Sequence, residues 1–221
     1  MLYELGTPFY KRDTYFAYSE KNKISDYFWL NECTKIDVEK PLLYRVDKLD
    51  SYVSSYDTLP TMDDALLVSK CFRNVYQHLE ETEIQFIPVL IRDEEGNENS
   101  DYFCLNVLNK LPLLDFERSV YVPYGYYGDG EDDDYDDSDD DYDLNDIEIR
   151  QAFYHTEKMG SFSIARMEEN QMLIVVSENF VEIAQREKLK KINFKPEGYH
   201  APFTELGLEE GRKIMKKLYG K

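Results

Sequence analysis

Apolar positions along the chain change their period several times, and each change predicts an element. Ala65, Leu66, Leu67 and Val68 run together as a short buried strand does, and Ser69 follows as a helix N-cap. Phe72, Val75, Tyr76 and Leu79 then recur at i, i+3, i+4 and i+7, which is the apolar face of a helix ending near Leu79. The stretch IQFIPVLIR (Ile84–Arg92) is apolar at nearly every position, as expected of a strand covered on both faces. Pro88 inside it cannot donate a ladder hydrogen bond and predicts a bulge or an edge. DEEGNENS turns the chain around Gly96-Asn97, so DYFCLNVL (Asp101–Leu108) is the second arm of an antiparallel hairpin.

Further strands are predicted at Ile147–Tyr154, Ser161–Met167, Met172–Val176 and Lys191–Phe194, with a helix from Ser177 to about Lys188. Leu206, Leu208, Ile214, Met215 and Leu218 form the apolar face of a terminal helix, Leu206–Tyr219. Its Arg212, Lys213, Lys216 and Lys217 lie toward the end where cations complement the helix dipole. Residues 1–58 read as short extended pieces rich in Tyr and Phe, such as Phe9–Tyr18 and Asp26–Leu30.

One internal echo stands out. Leu66–Pro88 aligns without gaps to Ile174–Pro196 at a shift of 108. Val68, Ser69, Phe72, Ile84, Phe86 and Pro88 recur as Val176, Ser177, Phe180, Ile192, Phe194 and Pro196. Duplication would produce this, and so would the apolar spacing that any strand–helix–strand unit needs. The expected class is α+β: a few helices packed on a mostly antiparallel sheet, with a possible internally repeated strand–helix–strand unit. The expected divisions are a β-type region over 1–58, a core over 59–200 and a basic helix over 201–221.

Charge adds a feature that periodicity does not show. The chain has 221 residues, 45 acidic against 26 basic, for a formal net charge of −19. Eleven of those acids, and no base, fall in DGEDDDYDDSDDDYD (Asp129–Asp143); the rest of the chain carries only −8. Ionised carboxylates at this density cannot be buried and repel one another, so a solvated, disordered loop is expected. A solubilising insertion is one reading. The other is an arm that steers a basic protein partner into contact through Asp132, Asp133, Asp134, Tyr135, Asp136, Asp137, Asp139, Asp140, Asp141 and Tyr142. An EF-hand is a poor fit: its sixth position would be Asp137 where Gly is needed, and its twelfth Asp143 rather than Glu. Nucleic acid and anionic membranes are equally poor partners for so acidic a chain.

Little else suggests chemistry. Cys33, Cys71 and Cys104 are odd in number and widely spaced, which is no disulfide framework; Cys71 and Cys104 read as small hydrophobes in apolar segments. His78, His155 and His200 stand alone, without a metal-ligand spacing, and no phosphate loop, nucleophile elbow or dinucleotide fingerprint occurs. No metal or cofactor is implied. No secretory leader or apolar span is evident, so the cytoplasm is the expected location.

The residues Asp101–Tyr121 (DYFCLNVLNKLPLLDFERSVY) resemble the Y-x-x-L-N-V-L-N … L-D-x-x-x-S signature of a bacterial immunity family, the eleventh grouped with polymorphic toxin systems. The matching positions include Tyr102, Asn106, Asn109, Asp115 and Ser119. LLVSKCFRNVYQHL and MLIVVSENFVEIAQREKLKKINFKP are similar to the same family's strand–helix segments, so the resemblance spans roughly residues 60–197. It implies neutralisation of a cognate toxin by direct binding, with no catalytic residues. Asn106, Asn109, Asp115 and Ser119 are also the residue types that satisfy backbone groups where a strand ends and turns. Tyrosine, 19 in all, suits protein recognition. Two other classes stay open: an acidic adaptor or weak divalent-cation binder, and an enzyme with a dispersed active site.

Overall fold

In the computed structural model the described residues are 1–7, 16–18, 27–51, 53–62, 65–123, 147–199, 208–209, 211–213 and 215–216. The strands and helices in chain order are β1 (Leu2–Gly6), β2 (Ala17–Tyr18), β3 (Leu42–Val46), β4 (Thr58–Leu59), β5 (Leu67–Ser69), α1 (Lys70–Tyr76), β6 (Ile84–Asp93), β7 (Glu98–Asn99) and β8 (Tyr102–Val107). Then come β9 (Lys110–Leu111), β10 (Val120–Pro123), β11 (Ile147–Gln151), α2 (Thr156–Met159), β12 (Ile164–Met167), β13 (Ile174–Ser177), α3 (Glu178–Arg186) and β14 (Asn193–Pro196). The fold is α+β, with mostly antiparallel sheets. One sheet runs β2-β3-β6-β8-β5-β4 with β7 beside β6; a second runs β14-β1-β13-β12-β9; β10 and β11 form a separate ribbon.

The internal echo extends to register. In one unit β5, β8 and β6 lie side by side, and α1 carries the chain from β5 past β8 to β6. In the other, β13, β1 and β14 lie side by side, and α3 makes the same passage. Val68 and Pro88 both face Phe103, as Val176 and Pro196 both face Tyr3; Phe86 faces Leu105, as Phe194 faces Leu5. Outside them, Thr58 of β4 faces Val68, and Ile164 of β12 faces Val176. Apolar spacing alone would not reproduce these pairings. The units differ in where the middle strand comes from: β8 follows its helix, whereas β1 is contributed from the start of the chain. The N-terminal region and the core thus share both sheets, β1 lying in the second and β2 and β3 in the first.

Helices α1 and α3 start for the same local reason. Ser69 (φ −72°, ψ 166°) accepts the Phe72 N–H at 3.1 Å, and Ser177 (φ −73°, ψ 160°) accepts the Phe180 N–H at 3.3 Å. The helices then meet. The Tyr76 ring stacks on Phe180 at 3.9 Å, and its hydroxyl donates to the Phe180 carbonyl at 2.7 Å. Phe72, Phe86, Leu105, Ile164 and Val176 complete the apolar layer between the sheets. Burying a side chain of this size contributes about 1.5–3 kcal/mol each. The outer face of the first unit is covered by Phe16, Leu30, Tyr44 and Val53, and that of the second by Leu114, Tyr121, Ile147 and Met215.

The units also hold each other at matching places. The Glu83 carboxylate accepts the N–H groups of Ser163 and Ile164, at 2.6 and 3.1 Å, where β12 begins. Conversely, where β4 begins, the Lys190 N–H donates to the Asp57 carboxylate at 2.5 Å and the Thr58 hydroxyl to the Lys191 carbonyl at 2.9 Å.

Three details differ from expectation. Tyr27–Glu32 is a 3-10 helix and not an extended piece; consecutive apolar residues without alternation do not distinguish the two. Cys71 is exposed, because the inward face of α1 is set by Phe72 and Tyr76, and Lys70 and Cys71, the two residues between the cap and Phe72, face outward. Pro88 makes neither a bulge nor an edge strand. It is the last residue paired with β8, immediately before Val89 begins pairing with β3, and so falls where β6 exchanges one neighbour for another. The terminal helix is seen at 208–209, 211–213 and 215–216, with Leu208 and Met215 buried.

Candidate binding surface

The acidic run has a defined base. Pro123 of β10 pairs with Ile147 of β11, so residues 124–146 connect two strand ends that lie directly opposite each other. Asp132, Asp133, Asp134, Tyr135, Asp136, Asp137, Asp139, Asp140, Asp141 and Tyr142 themselves lie outside the described residues. The ribbon itself is firmly packed: Val120, Tyr121, Val122 and Ile147 are all buried. Tyr121 meets Phe116 edge-on at 5.2 Å, and burial pushes its phenol above the ordinary range.

The terminal helix lies on this ribbon. A β-carbon at Gly211 would come within 2.9 Å of Val120 Cγ1, so only glycine permits so close an approach there. The Tyr121 N–H meets the Met215 sulfur at 3.4 Å. Arg212, Lys213 and Lys216 face solvent. A basic helix face is therefore carried by the ribbon that bears the acidic connection.

The signature residues sit in three places. Tyr102 is buried in β8, its hydroxyl 2.7 Å from the Val53 carbonyl and 2.8 Å from that of Tyr56. Asn106 donates from Nδ2 to the Thr34 carbonyl and the Gln85 amide, at 2.8 and 3.0 Å, while its buried Oδ1 has no hydrogen-bond partner. Asn109 reaches across to the second unit, donating to the Ile164 carbonyl at 3.3 Å. Asp115 accepts the N–H groups of Glu117 and Arg118 at 3.0 and 3.2 Å. The Ser119 hydroxyl accepts the Phe153 N–H at 2.9 Å and donates to the Phe153 carbonyl at 3.2 Å. All five make contacts within the fold.

Around Asp115 and Ser119 lies a polar cluster that spacing in the sequence does not reveal. The Arg118 guanidinium is 3.7 Å from the Asp115 carboxylate, 4.0 Å from Glu197 and 4.4 Å above the Phe153 ring. Tyr154 is buried beside it. Burial first, and the Glu4 and Glu197 carboxylates next, push its phenol well above its usual range. Arg166 is a second surprise. It is 3% exposed with no carboxylate at ion-pair distance among the described residues, and only the Gln171 carbonyl, at 2.6 Å, takes its Nη1. Burial lowers the guanidinium pKa. Its one sequence signal is a lone cation between Ala165 and Met167 in an otherwise apolar strand.

Cys33, Cys71 and Cys104 are free thiols, and burial pushes the Cys33 thiol up. His155 lies 3.2 Å from Glu157. Among the described residues no three His, Cys, Asp or Glu side chains are grouped as metal ligands would be, and no helix is long and apolar enough to cross a membrane.

The model of the Imm11 immunity protein family matches residues 37–198, most of the chain. The chain belongs to this family. The immunity-family match takes in both helical units, all five signature residues and the acidic run. It leaves out β1, although β1 is the middle strand of the second unit. Among curated proteins, none matches the chain.

Proposed function

We propose that this chain binds a cognate bacterial toxin in the cytoplasm and neutralises it by direct contact, without catalysis of its own, by covering the toxin's active site. Membership of the Imm11 immunity family carries this reading. The acidic run supports the nature of the contact: eleven carboxylates, interleaved with Tyr135 and Tyr142, connect the paired ends of a well-packed ribbon. Such an arm attracts a basic protein surface, speeds encounter and is screened beyond about 8 Å at physiological salt. Tyr102, Asn106, Asn109, Asp115 and Ser119 serve the frame that carries it. Nucleic acid and membrane are not partners in this scheme.

The test begins at the neighbouring open reading frame, which this proposal expects to encode a large secreted protein whose C-terminal domain is the toxin. Coexpression with the immunity chain should rescue growth, and the two should co-purify. Toxicity unrelieved by the chain, with no complex, would overturn the proposal. Removing Asp129–Asp143 should weaken binding and flatten its dependence on salt; unchanged affinity and slope would leave binding without the arm.

A further inference from the structure

The exposed face of the first sheet holds an uncompensated cation. Arg45 in β3 and Arg92 in β6 are register partners on parallel strands, which puts two guanidinium groups side by side on one face. Like charges directly opposite each other destabilise a sheet. Arg92 is neutralised, since its Nε donates to Glu98 on the next strand at 2.9 Å. Arg45 is not: among the described residues its side chain has no hydrogen bond and no ion pair. In a chain with 45 acidic residues and 26 basic ones, a guanidinium left without a carboxylate is out of keeping with composition.

The surroundings give that guanidinium room and a direction. Arg45, Arg92, Ala17, Met62, Asp47 and Glu94 line a trough of about 440 Å³. Ala17 is the neighbour of Arg45 on the other side, in β2, and carries only a methyl group there. Met62 is 67% exposed at the rim. Asp93 is already engaged, accepting the Leu49 N–H at 3.1 Å and the Asn97 N–H at 2.8 Å, so it does not compete for Arg45. Asp47 and Glu94 remain exposed at the same end.

We propose that the Arg45 trough receives a carboxylate side chain of the partner protein, with a neighbouring cation of that partner turned toward Asp47 and Glu94. Guanidinium and carboxylate match in a planar, two-bond geometry that lysine cannot reproduce. A phosphate of nucleic acid would meet the same guanidinium but would be repelled by the net charge of −19. The inference rests on the toxin-binding reading and deepens it. The acidic run draws in a basic surface, while the trough reads one acidic group on that surface, so two charges of opposite sign fix the orientation of the complex.

Calorimetric titration of the whole chain with the toxin domain identified by that rescue test checks this. Arg45→Glu should weaken binding at least tenfold, and Arg45→Lys should recover only part of the loss. The urea midpoint should not fall, because the Arg45 side chain has no hydrogen bond or ion pair among the described residues and Arg45→Glu relieves its like-charge contact with Arg92. A charge-reversed toxin, with its contacting Asp or Glu changed to Lys, should restore binding to the Arg45→Glu chain and to no other. Full affinity of Arg45→Glu for the toxin would overturn the trough and leave the function standing. If the wild-type chain fails to bind that toxin at all, the function itself fails.

Discussion

Glu83 offers a direct measure of how the two units hold each other. Its carboxylate, 9% exposed, accepts the N–H groups of Ser163 and Ile164 at the start of β12. Glu83→Ala removes the one oxygen, Oε2, that accepts both. Ser163 is half-buried and its N–H can turn to water, but Ile164 is fully buried. An orphaned buried donor costs roughly 1–3 kcal/mol, and a lost charge-assisted bond about 1.5–3 kcal/mol before rehydration offsets part of it. The expected loss is about 3 kcal/mol. Glu83→Gln keeps an amide oxygen in reach and gives up only the charge, for about 1 kcal/mol. Urea unfolding followed by circular dichroism reads both. With an m-value of about 2–3 kcal/mol/M, the alanine variant should unfold at a midpoint roughly 1–1.5 M lower with m unchanged. An alanine variant within about 0.5 kcal/mol of wild type would refute the reasoning, as would a glutamine variant as unstable as the alanine one. The first result would mean that water reaches the Ile164 N–H, and the second that the charge of Glu83, not the place of its oxygen, holds the start of β12.

Two further outcomes can be checked in the same assay. Tyr76→Phe keeps the stack on Phe180 and loses one hydroxyl bond to its carbonyl, so it should cost about 1 kcal/mol, whereas Tyr76→Ala should cost about 3–5 kcal/mol; equal losses would remove the stack from the account. The Asn97 amide, with help from the Leu49 and Asn97 N–H groups, holds the Asp93 carboxyl below the usual carboxylate range. A folded-state pKa below the unfolded one stabilises at pH values above about 4 and ceases to do so as pH falls through the folded value. The destabilisation by Asn97→Ala should therefore be present at pH 7 and shrink toward zero at the acid end, and a pH-independent difference would contradict it.

The sequence by itself determined the local elements of the repeated unit, because these depend on near neighbours. Ser69 and Ser177 cap helices through N–H groups three residues away, and the aromatic residues of α1 and α3 recur at helical spacing. The hairpin of β6 and β8 was legible from two apolar runs around Gly96-Asn97, and the family from the residues of β8 and its sequel. The acidic run was visible as composition alone.

Tertiary structure decided what separation along the chain conceals. No local pattern says that Leu2–Gly6 will fill the place in one unit that Tyr102–Val107 fills in the other, since a strand's partners are chosen by the sheet it completes. The same holds for Glu83 binding the backbone of Ser163 and Ile164, and for Arg166, whose burial is set by the layers around it and not by its neighbours in sequence. Arg45 and Arg92 stand 47 positions apart, and only the parallel register of β3 with β6 brings their like charges together. Hydrogen bonds of caps and turns are local and can be read; pairing, burial and uncompensated charge are relations between distant segments, and only folding creates them.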